Sequence, residues 1–268
     1  MSQIITMHKD RPVTSAFFRD QDSLYVTSVF RTIQSEGPFA GHPAMFVRLA
    51  GCNYGAKDSH CQWCDTFFAI DEATQYSGVS LQLKMTEQGW QPSDIIVFTG
   101  GEPTLQHYLL EVIAQLKVAN PDVIIQLETN GTQASFFARY AEEHMERFGL
   151  EVVCSPKAGP NGYMAISPTV FNHVSAFKFV VSAEEGAHHE VPEWALESSR
   201  SQEEDWRAVY VSPMAQYLRA YDGEVSSIWD DTLIDRAKTS ANYAYAAAYA
   251  MKHNLLLSVQ AHLFCALP

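Results

Sequence analysis

Hydrophobic positions along this chain come in short, dense runs, each closed by a polar or glycine-rich break. Residues 44–49 (AMFVRL) and 95–99 (IIVFT) show little alternation, as expected of strands covered on both faces in a parallel sheet. Residues 123–127, 151–154, 176–181 and 209–211 repeat the pattern, and 255–260 predicts a last strand. Between these runs the period becomes helical. In 105–117, Leu105, Leu109, Val112, Ile113 and Leu116 share one stripe, and 135–148 and the Ala/Tyr-rich 231–253 predict further helices. Such alternation predicts an α/β fold, mostly parallel strands with helices outside.

The breaks carry as much information as the runs. Residues 95–99 lead into Gly100-Gly101-Glu102-Pro103 and 123–127 into Glu128-Thr129-Asn130-Gly131. Residues 151–154 lead into Ser155-Pro156-Lys157, and 209–211 into Ser212-Pro213-Met214. Parallel α/β architectures bind ligands at the carboxyl ends of their strands, so this succession predicts a site there. Residues 1–27 show no clear period and read as an N-terminal extension to a single domain over 28–268. The stretch 183–207 is rich in Asp and Glu and reads as an acidic surface insertion between two strands.

The 268 residues are 47% hydrophobic and 18% charged, which suits a chain that buries a full core. Eighteen Lys and Arg against 31 Asp and Glu leave a net charge of −13. That surface repels phosphate backbones and anionic lipid, which argues against nucleic-acid and membrane partners. No apolar run approaches the roughly 18 residues that span a bilayer, and the N-terminal stretch has no apolar signal-peptide core. A cytoplasmic protein is expected.

Cys52, Cys61 and Cys64 are clustered, whereas Cys154 and Cys265 stand alone and read as small core residues. An odd count of five without a signal peptide does not suit a disulfide framework. Three thiolates fit a 4Fe–4S cluster with one open iron. On the cysteines alone, zinc with His60 as a fourth ligand and incidental thiols stay open. An open iron needs a strand end beside it where backbone can approach a small ligand, and Gly100-Gly101 supplies one.

Together these features resemble the radical S-adenosylmethionine (SAM) enzymes, and more narrowly the 7-carboxy-7-deazaguanine synthase family. Residues 32–38 (TIQSEGP) resemble the family's IQGEG segment, with Ser35 where glycine is usual. Residues 46–53 are similar to its FVRLAGCN and 61–66 (CQWCDT) to its CxWCDT. TGGEP at 99–103, ETNG at 128–131, SPK at 155–157 and the terminal Pro268 complete a likeness over 32–157 and the C-terminus. The spacing Cys52-x8-Cys61-x2-Cys64 departs from the common CxxxCxxC. The extra residues fall between the first two cysteines, where a loop can bulge without moving the Cys61/Cys64 pair. Enlarged loops are known there in the synthase family.

The resemblance implies a radical-SAM partial (β/α) barrel that converts 6-carboxy-5,6,7,8-tetrahydropterin to 7-carboxy-7-deazaguanine with loss of ammonia, in queuosine-type 7-deazapurine biosynthesis. It implies a 4Fe–4S cluster on Cys52, Cys61 and Cys64, and Mg²⁺ on Thr66. SAM is expected against Trp63, Cys64 and Asp65, against Gly100, Gly101 and Glu102, against Ser155, Pro156 and Lys157, and against Ser212, Pro213 and Met214. Substrate is expected against Ile33, Gln34, Ser35, Glu36, Arg48, Thr99 and Pro268. Arg48 suits a substrate carboxylate, which a guanidinium pairs bidentately, and a threonine oxygen suits the hard Mg²⁺ ion. A flavodoxin- or ferredoxin-type electron donor and a homodimer are implied as well. A radical-SAM activase of a glycyl-radical partner would share the cysteines and GGEP but has no reason to carry Gln34, Glu36, Arg48 and Pro268. A zinc-bearing binding module would share only the thiols.

Overall fold

Strands organise the molecule, whose computed structural model describes residues 4–6, 14–18, 22–54, 72–143, 145–160, 162–218, 227–265 and 267. In chain order these are β1 (Ile4–Thr6), β2 (Leu24–Ile33), β3 (Pro43–Leu49), β4 (Glu72–Tyr76), β5 (Ile95–Gly100), β6 (Ile125–Thr129) and β7 (Leu150–Cys154). A small hairpin of β8 (Ala158–Gly159) and β9 (Gly162–Tyr163) precedes β10 (Ala176–Val181), β11 (Ala208–Pro213) and β12 (Leu256–Leu257). Apart from that hairpin they pair in the order β1-β4-β2-β3-β5-β6-β7-β10-β11-β12. Every pairing from β3 to β12 is parallel, and those joining β1, β4, β2 and β3 are antiparallel.

The helices are α1 (Gly78–Glu87), α2 (Leu109–Ala119), α3 (Ala134–Glu142), α4 (Pro168–Phe171), α5 (Glu193–Arg200), α6 (Arg236–His253) and α7 (Ala261–Cys265). Side chains alternate across each strand. Val47 and Leu49 of β3, Ile96 and Phe98 of β5, Leu127 of β6 and Phe177 and Phe179 of β10 join Val112, Ile113 and Leu116 of α2 and Phe136 and Phe137 of α3 in the main core. The opposite face lines the inside of the arc. Its floor is apolar, with Ala44, Ile95 and Val97 packed beside Phe39 and Phe46. Arg48, Thr99, Gln126, Glu128, Lys178 and Ser212 share that inner face. This is the partial (β/α) barrel expected, with both strand faces covered.

Several boundaries differ from the sequence pattern. The helix expected over 105–117 begins only at Leu109, after a 3₁₀ turn at Pro103–Leu105. Gln106 is held at its side chain, which accepts from Tyr25 N at 2.8 Å and donates to the carbonyls of Tyr25 and Ala50 at 3.1 and 2.9 Å. The expected 135–148 helix stops at Glu142, and a separate 3₁₀ turn spans Met145–Phe148. The 231–253 helix starts at Arg236, where Asp235 caps Lys238 N at 3.0 Å. The last strand shortens to Leu256–Leu257, and the chain turns into α7.

The boundary at residue 27 cuts β2, whose Leu24, Tyr25 and Val26 are buried, while β1 pairs with β4. The stretch 183–207 lies between two strands, β10 and β11, and forms their crossover. It carries α5, and Val191, Ala195 and Leu196 are buried in the main core. Parallel neighbours such as β10 and β11 need a connection of this length. Its acidic side chains are exposed, as their charge requires. No described helix is long and apolar enough to cross a membrane.

Candidate active site at the carboxyl rim

The rim is built where β3 and β5 continue to pair beyond their ends. Gly101 N donates to Leu49 O at 3.0 Å, and Glu102 N to Gly51 O at 2.8 Å. Such approach requires glycine. A Cβ on Gly101 would lie 2.0 Å from Gly51 O, and one on Gly100, whose φ is +124°, 2.2 Å from Leu49 O. The pair therefore brings the strand end against the backbone that leads into Cys52, which is partly buried.

Glu102 ties this junction to β6. Fully buried, it accepts from Thr129 Oγ1 and Asn130 N at 2.6 Å each, from Thr104 N at 3.1 Å, and from the Thr104 hydroxyl. Burial pushes its pKa above the ordinary carboxylate value, against the pull of these donors. Beside it, Asn130 Nδ2 donates to Asn53 Oδ1 and Asn53 Nδ2 to Thr132 Oγ1, both at 2.9 Å, so the residue after Cys52 is clasped to the β6 end.

The other strand ends complete the rim. Ser155 N donates to Thr129 O at 2.7 Å, Pro156 is buried, and Lys157 Nζ donates to Ser155 Oγ at 3.4 Å. Pro213 ends β11, and Met214 is buried with its N–H on Val181 O at 2.9 Å. Trp63, Cys61, Cys64, Asp65, Thr66 and Pro268 lie outside the described residues.

Below the rim, the barrel interior holds two linked carboxylates. Glu128 accepts from Gln34 Nε2 at 3.1 Å, Gln126 Nε2 at 3.0 Å and Thr99 Oγ1 at 2.9 Å. Gln34 Oε1 in turn accepts from Glu36 N at 3.2 Å. Glu36 pairs with Lys178 Nζ at 2.9 Å and accepts from Ser212 Oγ at 2.9 Å. Burial would raise its pKa, but the Lys178 and His262 charges and the bonds from Lys178 and Ser212 hold it below the usual carboxylate range. Ser35 Oγ and His262 Nδ1 are hydrogen-bonded at 2.9 Å. Arg48 lies over the Phe30 ring at 4.9 Å, and Phe30 stacks on Phe46 at 5.5 Å. Ile33 ends β2 opposite Pro43.

The expected residues Gln34, Glu36, Thr99 and Ser212 thus meet in one polar interior. Gln126, Lys178 and His262 join them without having been singled out by the sequence. Only Lys178 carried a signal, as the one charge inside the apolar run AFKFVV. Gln126 Oε1 is buried without a hydrogen-bond partner among the described residues. Cys154 is a core thiol whose pKa burial pushes up, as expected, whereas Cys265 is exposed on α7 rather than buried.

No protein-family model matches the chain. The 7-carboxy-7-deazaguanine synthase of Rickettsia prowazekii is 34% identical over 199 residues, 72% of this chain and 78% of that one. The protein of the same name from Rhodospirillum rubrum is 36% identical over 168 residues, 62% of each chain. The crystal structure of QueE from Escherichia coli shares the fold, with a TM-score of 0.58 and 20% identity over 92% of this chain and 98% of that one. With its glycine-tight rim, polar barrel interior and this sequence identity, the chain belongs to the 7-carboxy-7-deazaguanine synthase family of radical-SAM enzymes.

Proposed function

We propose that this protein converts 6-carboxy-5,6,7,8-tetrahydropterin to 7-carboxy-7-deazaguanine with loss of ammonia, supplying 7-deazapurine biosynthesis of the queuosine type. The observation that carries the reading is the Glu36–Gln34–Glu128–Thr99 network inside the barrel, directly below the rim that leads into Cys52. A flat heterocycle edged with N–H donors and carbonyl acceptors matches such a lining, and the apolar floor beneath excludes water from one end.

Cys52, Cys61 and Cys64 would hold a 4Fe–4S cluster beside bound SAM. When bound, the cluster and SAM would supply the radical chemistry that begins with removal of hydrogen from the substrate. The rim supports this placement, because the Gly101–Gly51 contact fixes the backbone on which Cys52 sits. Trp63, Asp65, Gly100, Gly101 and the 155–157 and 212–214 strand ends surround SAM, with Glu102 positioning the turn from behind. Gln34 and Glu36 receive the pyrimidine edge, Thr99 orients the ring, Ile33 and Ser35 flank it, and Arg48 pairs the carboxylate. Glu128 keeps Gln34 and Thr99 in place. Thr66 supplies an oxygen to Mg²⁺, and Pro268 adds to the substrate pocket. Electrons come from a flavodoxin- or ferredoxin-type donor, and the enzyme works as a cytoplasmic homodimer.

One anaerobic assay tests the reading: the tetrahydropterin, SAM and a reductant, with metal analysis of the same sample. About four iron per chain and formation of the deazaguanine are expected. A single zinc and no turnover would overturn it.

A further inference from the structure

We propose that Lys178 is a positioning residue for substrate recognition, holding the Glu36 carboxylate as a fixed, acceptor-only group that selects a ligand edge made of paired N–H donors. The inference rests on the reading of Glu36 as a substrate contact. Phe177 and Phe179, its neighbours on β10, are fully buried in the core, so Lys178 projects to the opposite face, into the barrel. Its Nζ lies 2.9 Å from Glu36 Oε2, while Ser212 on β11 donates to Oε1 at 2.9 Å. Two adjacent strands thus fix one oxygen each, and the carboxylate can neither rotate nor withdraw.

An ionised carboxylate offers roughly four acceptor positions. Lys178 and Ser212 use two, leaving one on each oxygen for an incoming ligand. A pyrimidine ring N–H beside an exocyclic amine is such a donor pair. If Glu36 took up a proton, one position would become a donor and face another donor. Lys178 opposes that proton uptake. The remaining groups facing Glu36 are His262 from α7 and Tyr243 from α6, with the neutral hydroxyl of Ser212 from β11. His262 stays in every variant, so two proteins that differ only at position 178 report Lys178 alone.

The test compares Lys178→Met, Lys178→Arg, Glu36→Gln and the double variant Glu36→Gln/Lys178→Met as reconstituted holoenzymes. KM and kcat for the tetrahydropterin are followed from about pH 6 to about pH 8. Binding of 7-carboxy-7-deazaguanine to each protein is followed by calorimetry over the same range. Without Lys178, burial dominates Glu36 and its pKa climbs. Lys178→Met then loses affinity toward low pH, approaching tenfold per pH unit below the new pKa, and regains it toward high pH, with SAM affinity unchanged. Lys178→Arg keeps the wild-type profile.

In the Glu36→Gln background, removing Lys178 changes KM by less than about twofold, because the partner it acts through is already neutral. This comparison also serves if the single Lys178→Met variant fails to fold. A Lys178→Met profile parallel to wild type overturns the proposal. So does a further large loss in the double variant, which would make Lys178 a direct substrate contact. A wild-type enzyme inactive on the tetrahydropterin refutes the proposed reaction instead.

Discussion

Gly101→Ala isolates what the rim contact contributes. The backbone at Gly101 is not in the left-handed region, so alanine brings no torsional strain there. What it brings is a methyl group 2.0 Å from Gly51 O, 2.5 Å from Gly51 C and 3.1 Å from Cys52 N, all backbone atoms that cannot rotate aside. Ordinary contact begins at 3.4 Å, so the two segments must separate by about 1.4 Å (3.4 − 2.0). The bonds Gly101 N to Leu49 O and Glu102 N to Gly51 O, now 3.0 and 2.8 Å, would then pass beyond hydrogen-bond range. Overpacking of this kind costs about 1–3 kcal/mol, and each lost bond about 0.5–1.5 kcal/mol. The expected destabilisation is about 2–6 kcal/mol. Urea unfolding of the cluster-free protein measures it, and iron per chain after reconstitution reports the displacement of Cys52. An alanine variant with wild-type unfolding midpoint and full iron content would refute the account of the rim.

Four further outcomes are expected. Cys61→Ala leaves two thiolates and should abolish the brown colour of the cluster while circular dichroism is unchanged; full iron in that variant would remove Cys61 from the ligand set. Thr66→Ala should weaken the Mg²⁺ dependence of turnover and raise substrate KM without altering SAM affinity, and equal wild-type activity with and without Mg²⁺ would exclude the ion. Pro268→Ala should raise substrate KM with cluster content unchanged, and an unchanged KM would exclude Pro268 from the site. Asp94 accepts from Arg31 Nε at 2.7 Å and Nη2 at 2.9 Å and from Gln91 N at 2.9 Å, and the Arg31 bonds hold its pKa below the ordinary value. Its stabilisation is therefore present above about pH 3.9 and lost as pH falls through the lower folded value. Asp94→Asn should be less stable at neutral pH and converge with wild type in acid, which an acid-unfolding series checks.

What the sequence made legible follows from how local each feature is. The strands 44–49 and 95–99 were readable because both faces are buried over most of their length, which forces nearly continuous apolar runs up to the polar rim. β2 was not, because LYVTSVFRTI mixes residues of both faces and its partners are non-local. The start of α2 depends on Gln106 bonding to Tyr25 and Ala50, residues with no mark of that role in their own neighbourhood. α5 was masked by its own surface, since its outer face carries the charge that made 183–207 read as a surface insertion. In the interior, Gln34, Glu36 and Thr99 came from a resemblance of motifs, and nothing in their spacing ties them to Glu128 or Lys178. Those ties are fixed by strand order, which no local pattern encodes.

Residues 35–37, in the segment that follows β2, bond to side chains that come much later in the chain. Gly37 N donates to Ser258 Oγ across a separation of 221 residues, and Ser35 meets His262 across 227. Glu36 reaches Lys178 and Ser212 across 142 and 176. During synthesis, the strands from β3 to β7 can pair and bury their core while the residues that complete the pocket are still inside the ribosome. Contacts of such long range pay their loop-closure entropy last, so the pocket assembles after the scaffold that surrounds it. A chain released before Ser258 would keep most of its core yet lack one wall of its binding site, and would present the polar interior of the barrel to water.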